Sequence, residues 1–260
     1  MTSLQELFAR CRAEDRAALV AYLPAGYPDL QTSVAAARAV VEEGADIVEV
    51  GVPYTDPLMD GPVIEQAAAA ALAQGFRFTD LFQVVQAVRA AGAVPVVMSY
   101  YNPVLRHGPR RFAAALSAAG GAGLITPDLI PDEAQEWLSG AREHDLAPIF
   151  LVAPSSTDAR LRSTTAACSG FVYVASTMGV TGARSQVGDS ARSLVERTRA
   201  VTDLPLCVGL GVSDGAQAAQ VAAFSDGVIV GSALVRALGA DPSLATLRAL
   251  TRELAAGVRR

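Results

Sequence analysis

Glu49, Asp56 and Asp60 fall within one fifteen-residue stretch, VEVGVPYTDPLMDGP, at positions 48–62. Glu49 lies inside an apolar run, DIVEV, and the two aspartates lie in the loop that follows. An isolated carboxylate in a buried strand is hard to ionise. Its pKa is expected to rise until it can both give and take a proton near neutral pH. A second carboxylate beside the same strand end points to acid/base work shared by a pair. Each residue also has a local reading. Glu49 could pair with an arginine at the strand end, and Asp60 could cap a helix that begins at Pro62. Pro53, Pro57 and Pro62 stiffen the loop, while Gly51 and Gly61 permit tight turns.

Other chemistries are poorly provided for. All 21 basic residues are arginine. Without lysine the chain cannot form a Schiff base with a carbonyl substrate or pyridoxal phosphate, and it has no P-loop lysine. The two histidines, His107 and His144, and the three cysteines, Cys11, Cys168 and Cys207, are not spaced as metal ligands, so no metal is expected. Isolated cysteines also fit a reducing compartment, and the location expected is cytoplasmic. The net charge of −5 lacks the basic footprint of a nucleic-acid binder. The N-terminal stretch has no signal-peptide core, and the longest charge-free run, 163–183, is rich in Ser, Thr and Gly, so no membrane association is expected.

The elements that must position these groups follow from the apolar pattern. Eight short runs read as strands: 19–23, 46–50, 95–98, 123–126, 148–152, 171–175, 205–209 and 227–231. Alanine-rich helical stretches separate them, among them 30–44, 132–144 and 213–224, and residues 62–91 have room for two helices. Buried runs alternating with helices indicate parallel strands. Eight such units in 260 residues fit a single (β/α)8 barrel spanning 1–260, with an open doubly wound sheet as the alternative. A further helix at 2–10 would plug the barrel bottom, and extra helices are expected after the second and eighth strands.

In such a barrel the site lies at the carboxyl ends of the strands. Alternation within DIVEV puts Ile47 and Glu49 on one face and the valines on the other, so Glu49 points into the barrel. Three glycine clusters also stand at strand ends: MGVTG (178–182), GLGVSDG (209–215) and VGSALV (230–235). Exposed backbone amides and a helix N-terminus there suit a phosphate, making Gly182, Gly211, Gly231 and Ser232 the candidates.

The stretch VEVGVPYTDPLMDGP resembles the signature of the tryptophan synthase alpha chain family. The likeness continues through LPAGYPD (23–29), MSYYNPV (98–104), PDLIPDEA (127–134), FLVAPSST (150–157), STMGVTGAR (176–184), GLGVSD (209–214) and DGVIVGSALV (226–235). It covers nearly the whole chain. The resemblance implies a (β/α)8 barrel with an additional N-terminal helix, and a retro-aldol cleavage of indole-3-glycerol phosphate to indole and glyceraldehyde 3-phosphate. It implies that Glu49 protonates the indole ring, that Asp60 holds the indole N–H, and that Tyr173 lies near the reacting centre. Tyr22, Met98, Ile125, Val152 and Leu210 match pocket positions, and Thr181 matches a lid residue that contacts Asp56.

It further implies a partner, the beta chain, a pyridoxal-phosphate enzyme, in an α2β2 assembly. No cofactor is expected in this chain itself. Residues 54–59 and MSYYNPV, with Asn102 and Pro103 in a fixed loop or turn, would face that partner. Two other readings stay open: a stand-alone indole-3-glycerol-phosphate lyase, and a non-catalytic barrel that activates a partner.

Overall fold

A computed structural model of the chain describes residues 3–175, 189–209 and 211–259. Helix α1 (Ser3–Ala13) precedes β1 (Ala18–Pro24), and α2 (Leu30–Glu42) leads to β2 (Ile47–Gly51). Two helices, α3 (Pro62–Ala73) and α4 (Leu81–Ala91), lead to β3 (Val94–Met98). Two more, α5 (Tyr101–His107) and α6 (Pro109–Ala118), lead to β4 (Gly123–Ile125). Helix α7 (Gln135–Glu143) is followed by β5 (Ala147–Ile149) and β6 (Leu151–Val152). Then come α8 (Asp158–Ala167), β7 (Val172–Ala175), α9 (Asp189–Arg199), β8 (Leu206–Gly209), α10 (Gly215–Ala222) and β9 (Gly227–Val230). Helices α11 (Ser232–Ala240) and α12 (Ala245–Gly257) end the fold, so the extra helices expected after the second and eighth strands are present.

All strand pairs are parallel, in the order β5-β4-β3-β2-β1-β9-β8-β7-β6. The two ends of this order are separated in sequence by Phe150 alone, so the sheet curls into a nearly closed barrel. The expected fifth strand, 148–152, is thus interrupted. At the break the N–H of Phe150 donates to Cys168 Sγ at 3.4 Å rather than to a neighbouring strand. Its carbonyl still accepts from Tyr173 N at 3.2 Å.

Two packing layers follow from strand alternation. One faces the helices and holds Val48, Val50, Val97, Leu124, Phe150, Val174, Val208 and Val230. The other fills the barrel with Val20, Ile47, Val96, Ile125, Ile149, Phe171, Cys207 and Ile229. Helix α1 closes the bottom. Leu4, Leu7, Phe8 and Cys11 recur at helical spacing and join the interior layer, with Phe8 edge-on to Phe171 at 6.0 Å. Below the strands Asp46 is tied to Arg16 by two bonds of 2.7 and 2.8 Å and accepts Leu19 N at 3.0 Å.

Two sequence expectations change. Val152 lies in the helix-facing layer; on the β6 segment it is Leu151 that joins the barrel interior. Asn102 and Pro103 are not in a loop but in the first turn of α5, where a proline has no helical N–H to forfeit.

Candidate active site

Glu49 is held by the most regular part of the barrel. In register it lies between Tyr22 of β1 and Val96 of β3. Its side chain is 1% exposed, and neither carboxylate oxygen has a hydrogen-bond partner among the described residues. The arginine pair that a buried glutamate could have made is absent from that set. Desolvation therefore acts unopposed and pushes the Glu49 pKa up to about 8. At neutral pH the group carries a proton, on a strand that cannot swing.

Asp60 is positioned differently. Helix α3 starts at Pro62 with Gly61 as its N-cap, so Asp60 is not the capping residue. Instead Asp60 Oδ1 accepts the phenol of Tyr100 at 2.9 Å. The same phenol oxygen accepts Met59 N at 2.9 Å, which fixes the loop on both sides of the contact. Burial raises the Asp60 pKa, and the Tyr100 bond pulls against that rise.

Two further phenols reach into the same space through glycine gaps. A Cβ on Gly51 would collide with the ring and hydroxyl of Tyr22. A Cβ on Gly209 would stand 2.7 Å from the Tyr173 hydroxyl. Burial keeps both phenols protonated. The Asp60 carboxylate reinforces this at Tyr22, and Glu49 adds to it at Tyr22 and Tyr173 once it ionises at higher pH. Tyr22 also packs on Ile64 and Ala67 of α3 and on Val235 of α11, with Met98 at the edge of the group. Ile125 sits deeper, fully buried in the interior layer.

The phosphate candidates approach from the opposite side of β1. Gly231 is the N-cap residue of α11 and Ser232 its first residue. A Cβ on Gly231 would come 3.6 Å from the Tyr22 ring, so this helix start adjoins the tyrosine. Gly209 pairs with Ile229, so Gly211 and Gly231 follow the ends of two adjacent strands. Gly211 has φ +74°, a left-handed conformation that favours glycine. Leu210, Thr181 and Gly182 lie outside the described residues.

A family model for the tryptophan synthase alpha chain matches residues 8–258. The chain belongs to the tryptophan synthase alpha chain family. It is 59% identical to the tryptophan synthase alpha chain of Mycobacteroides abscessus over 257 residues, covering 99% of this chain and 97% of that one. The alpha chain of Nocardia farcinica is 60% identical, with 98% and 96% covered. Among solved structures, tryptophan synthase of Mycobacterium tuberculosis superposes with a TM-score of 0.95 at 61% identity, covering 99% of this chain and 98% of that one. The alpha subunit from Legionella pneumophila superposes with a TM-score of 0.89 at 29% identity, covering 99% and 98%. Membership makes this chain a lyase subunit of tryptophan biosynthesis.

Within this alpha chain the expected Glu49, Asp60, Tyr173, Tyr22 and Gly231 converge on one end of the barrel. Asp56 stands apart on an exposed turn, accepting Thr55 Oγ1 at 2.5 Å. Asn102 Nδ2 donates to Tyr54 Oη at 2.8 Å, joining the β2 loop to α5. Sequence reasoning passes over Tyr100. Its position directly after β3, inside MSYYNPV, is the only signal, because its partner Asp60 lies 40 residues earlier. Among the described residues no three His, Cys, Asp or Glu side chains gather as a metal site would require.

Proposed function

We propose that the chain cleaves indole-3-glycerol phosphate to indole and glyceraldehyde 3-phosphate by carboxylate acid/base catalysis. The observation that carries this reading is the buried carboxyl of Glu49, without a hydrogen-bond partner among the described residues, where desolvation raises its pKa. An indole carbanion is a poor leaving group. Glu49 first gives its proton to C3 of the ring, forming an indolenine cation. Asp60 accepts the indole N–H and balances the positive charge. The Glu49 carboxylate, now ionised in an apolar site, takes the proton of the side-chain hydroxyl as the C–C bond breaks. The bonding electrons return to the ring, and glyceraldehyde 3-phosphate leaves as the aldehyde. Glu49 ends protonated as it began.

Tyr173 faces the reacting centre as a neutral phenol. Tyr22 and Met98 wall the indole site, with Ile125 beneath. Gly211, Gly231 and Ser232, joined by Gly182, hold the phosphate through backbone amides and the start of α11. Thr181 is assigned to act with Asp56 on the bound substrate. Residues 1–260 act as one barrel domain.

The partner in this reading is a pyridoxal-phosphate beta chain in an α2β2 assembly in the cytoplasm; the alpha chain itself needs no cofactor. Three exposed large apolar side chains support a docking face. Leu58 is 75% exposed, Leu105 52% and Ile130 38%, and they follow the neighbouring strands β2, β3 and β4. Asp56, Asn102 and Pro103 lie on the same loops and helix. No described helix is long and apolar enough to cross a membrane.

The test is direct. The purified chain is incubated with indole-3-glycerol phosphate, with and without a beta chain, and indole is measured. Release that accelerates with the partner supports the proposal; no release under either condition overturns it.

A further inference from the structure

Helix α5 begins without a cap of its own. Tyr100, its N-cap residue, makes no side-chain capping bond, which leaves the amide of Tyr101 in need of an acceptor. Asp128, from the loop after β4, supplies it: Tyr101 N donates to Oδ1 at 2.9 Å and to Oδ2 at 3.1 Å. A carboxylate at a helix start is favoured by the charge-assisted bond and by the helix dipole. The neighbouring backbone is tied as well. Ser99 Oγ donates to Tyr100 O at 2.7 Å, and Ser99 N donates to Ile125 O at 3.1 Å.

The residue pinned by these contacts is the one whose phenol reaches Asp60 and Met59 N, each at 2.9 Å. The same turn carries Asn102, bonded to Tyr54 Oη at 2.8 Å. Tyr54 in turn packs on Tyr100 with ring centroids 5.5 Å apart. Asp128 thus sits at the far end of a continuous chain of contacts: carboxylate, first turn of α5, Tyr100 phenol, Asp60.

We infer that Asp128 is a positioning residue for Asp60, acting through the first turn of α5 and the Tyr100 hydroxyl. Without it the helix start is released and the phenol no longer holds Asp60 at one height. The loss falls on turnover rather than on substrate capture, because the described phosphate candidates Gly211, Gly231 and Ser232 follow β8 and β9, away from β3 and β4. The inference rests on the reading that Asp60 acts on the indole ring.

A double-mutant cycle tests it, with indole-3-glycerol phosphate cleavage as the readout. Asp128→Ala is expected to lower kcat by about tenfold to a hundredfold, the scale of a small misplacement, with KM within about twofold. Asp128→Asn, which keeps an acceptor oxygen, should recover most of the loss. In the Tyr100→Phe background the Asp128→Ala change should cost less than about a further twofold. The same proportional loss in both backgrounds overturns the inference, as does wild-type kcat in Asp128→Ala. A wild-type chain without cleavage overturns the reading of the site itself, a separable result. If Asp128→Ala does not fold, Asp128→Ser takes its place in the same cycle.

Discussion

Tyr22 fills the space that any side chain at Gly51 would need. The two lie on adjacent strands, and a Cβ built on Gly51 would strike the tyrosine hydroxyl and ring. Glu49, directly opposite Tyr22 in the ladder, lies two residues before Gly51 on the same inward face. The Glu-Val-Gly sequence therefore sets a proton donor and, one step nearer the rim, a gap for the ring that walls it in.

Gly51→Ala should lower stability by about 1–3 kcal/mol through overpacking. Tyr22→Val in the same chain should return part of that loss. The denaturant midpoints of Gly51→Ala, Tyr22→Val and the double variant check the coupling; strictly additive effects would show that ring and glycine do not share the space.

Glu49→Gln should abolish turnover, by about 10²–10⁴-fold for loss of a general acid, while a substrate analogue still binds. The amide keeps the shape and cannot give a proton. Indole release and calorimetric binding, measured side by side, separate the two effects. Near-normal turnover would remove Glu49 from the acid role.

The raised pKa fixes the sign of a stability effect. Burial lifts Glu49 from 4.5 to about 8, so between those values the folded chain binds a proton that the unfolded chain has released. Stability contributed by this group is full below pH 4.5, declines as pH rises and levels off above 8. Across that window the decline approaches about 1.4 kcal/mol per pH unit. Glu49→Gln should flatten it. Urea midpoints at about pH 6 and about pH 9 for both chains, chosen to bracket the upper part of the decline, read the difference, and parallel curves would contradict it.

Arg16→Met should destabilise the chain by about 1–3 kcal/mol, because it leaves the buried Asp46 carboxylate with Leu19 N and the more distant Arg10, 3.9 Å away. Asp46 lies under the barrel bottom, where Arg16 grips it with two bonds of 2.7 and 2.8 Å. Thermal unfolding checks the loss. The active site is at the other end of the strands, so kcat well below the melting temperature should stay near wild type.

Much of the architecture is readable from local pattern. DIVEV is a strand with one discordant residue, and alternation alone turns Glu49 inward. Helix α1 declares its plugging face through Leu4, Leu7, Phe8 and Cys11. Val152 escapes such reading because PIFLV is apolar at every position, so no period of two reveals which side chains face the barrel. Asn102 and Pro103 read as loop because α5 is only seven residues long, too short to show a helical period. The Tyr100–Asp60 bond joins the ends of two strands, and only the folded barrel brings them together.

The proposed chemistry depends on the protonation of one carboxyl. Isotope-edited infrared titration of the chain labelled at glutamate side-chain carboxyls, with Glu49→Gln subtracted, would read it directly. A protonated carboxyl band present at neutral pH and lost with a midpoint near 8 is the predicted result. A midpoint near the ordinary glutamate value, with Glu49 ionised at neutral pH, would contradict it.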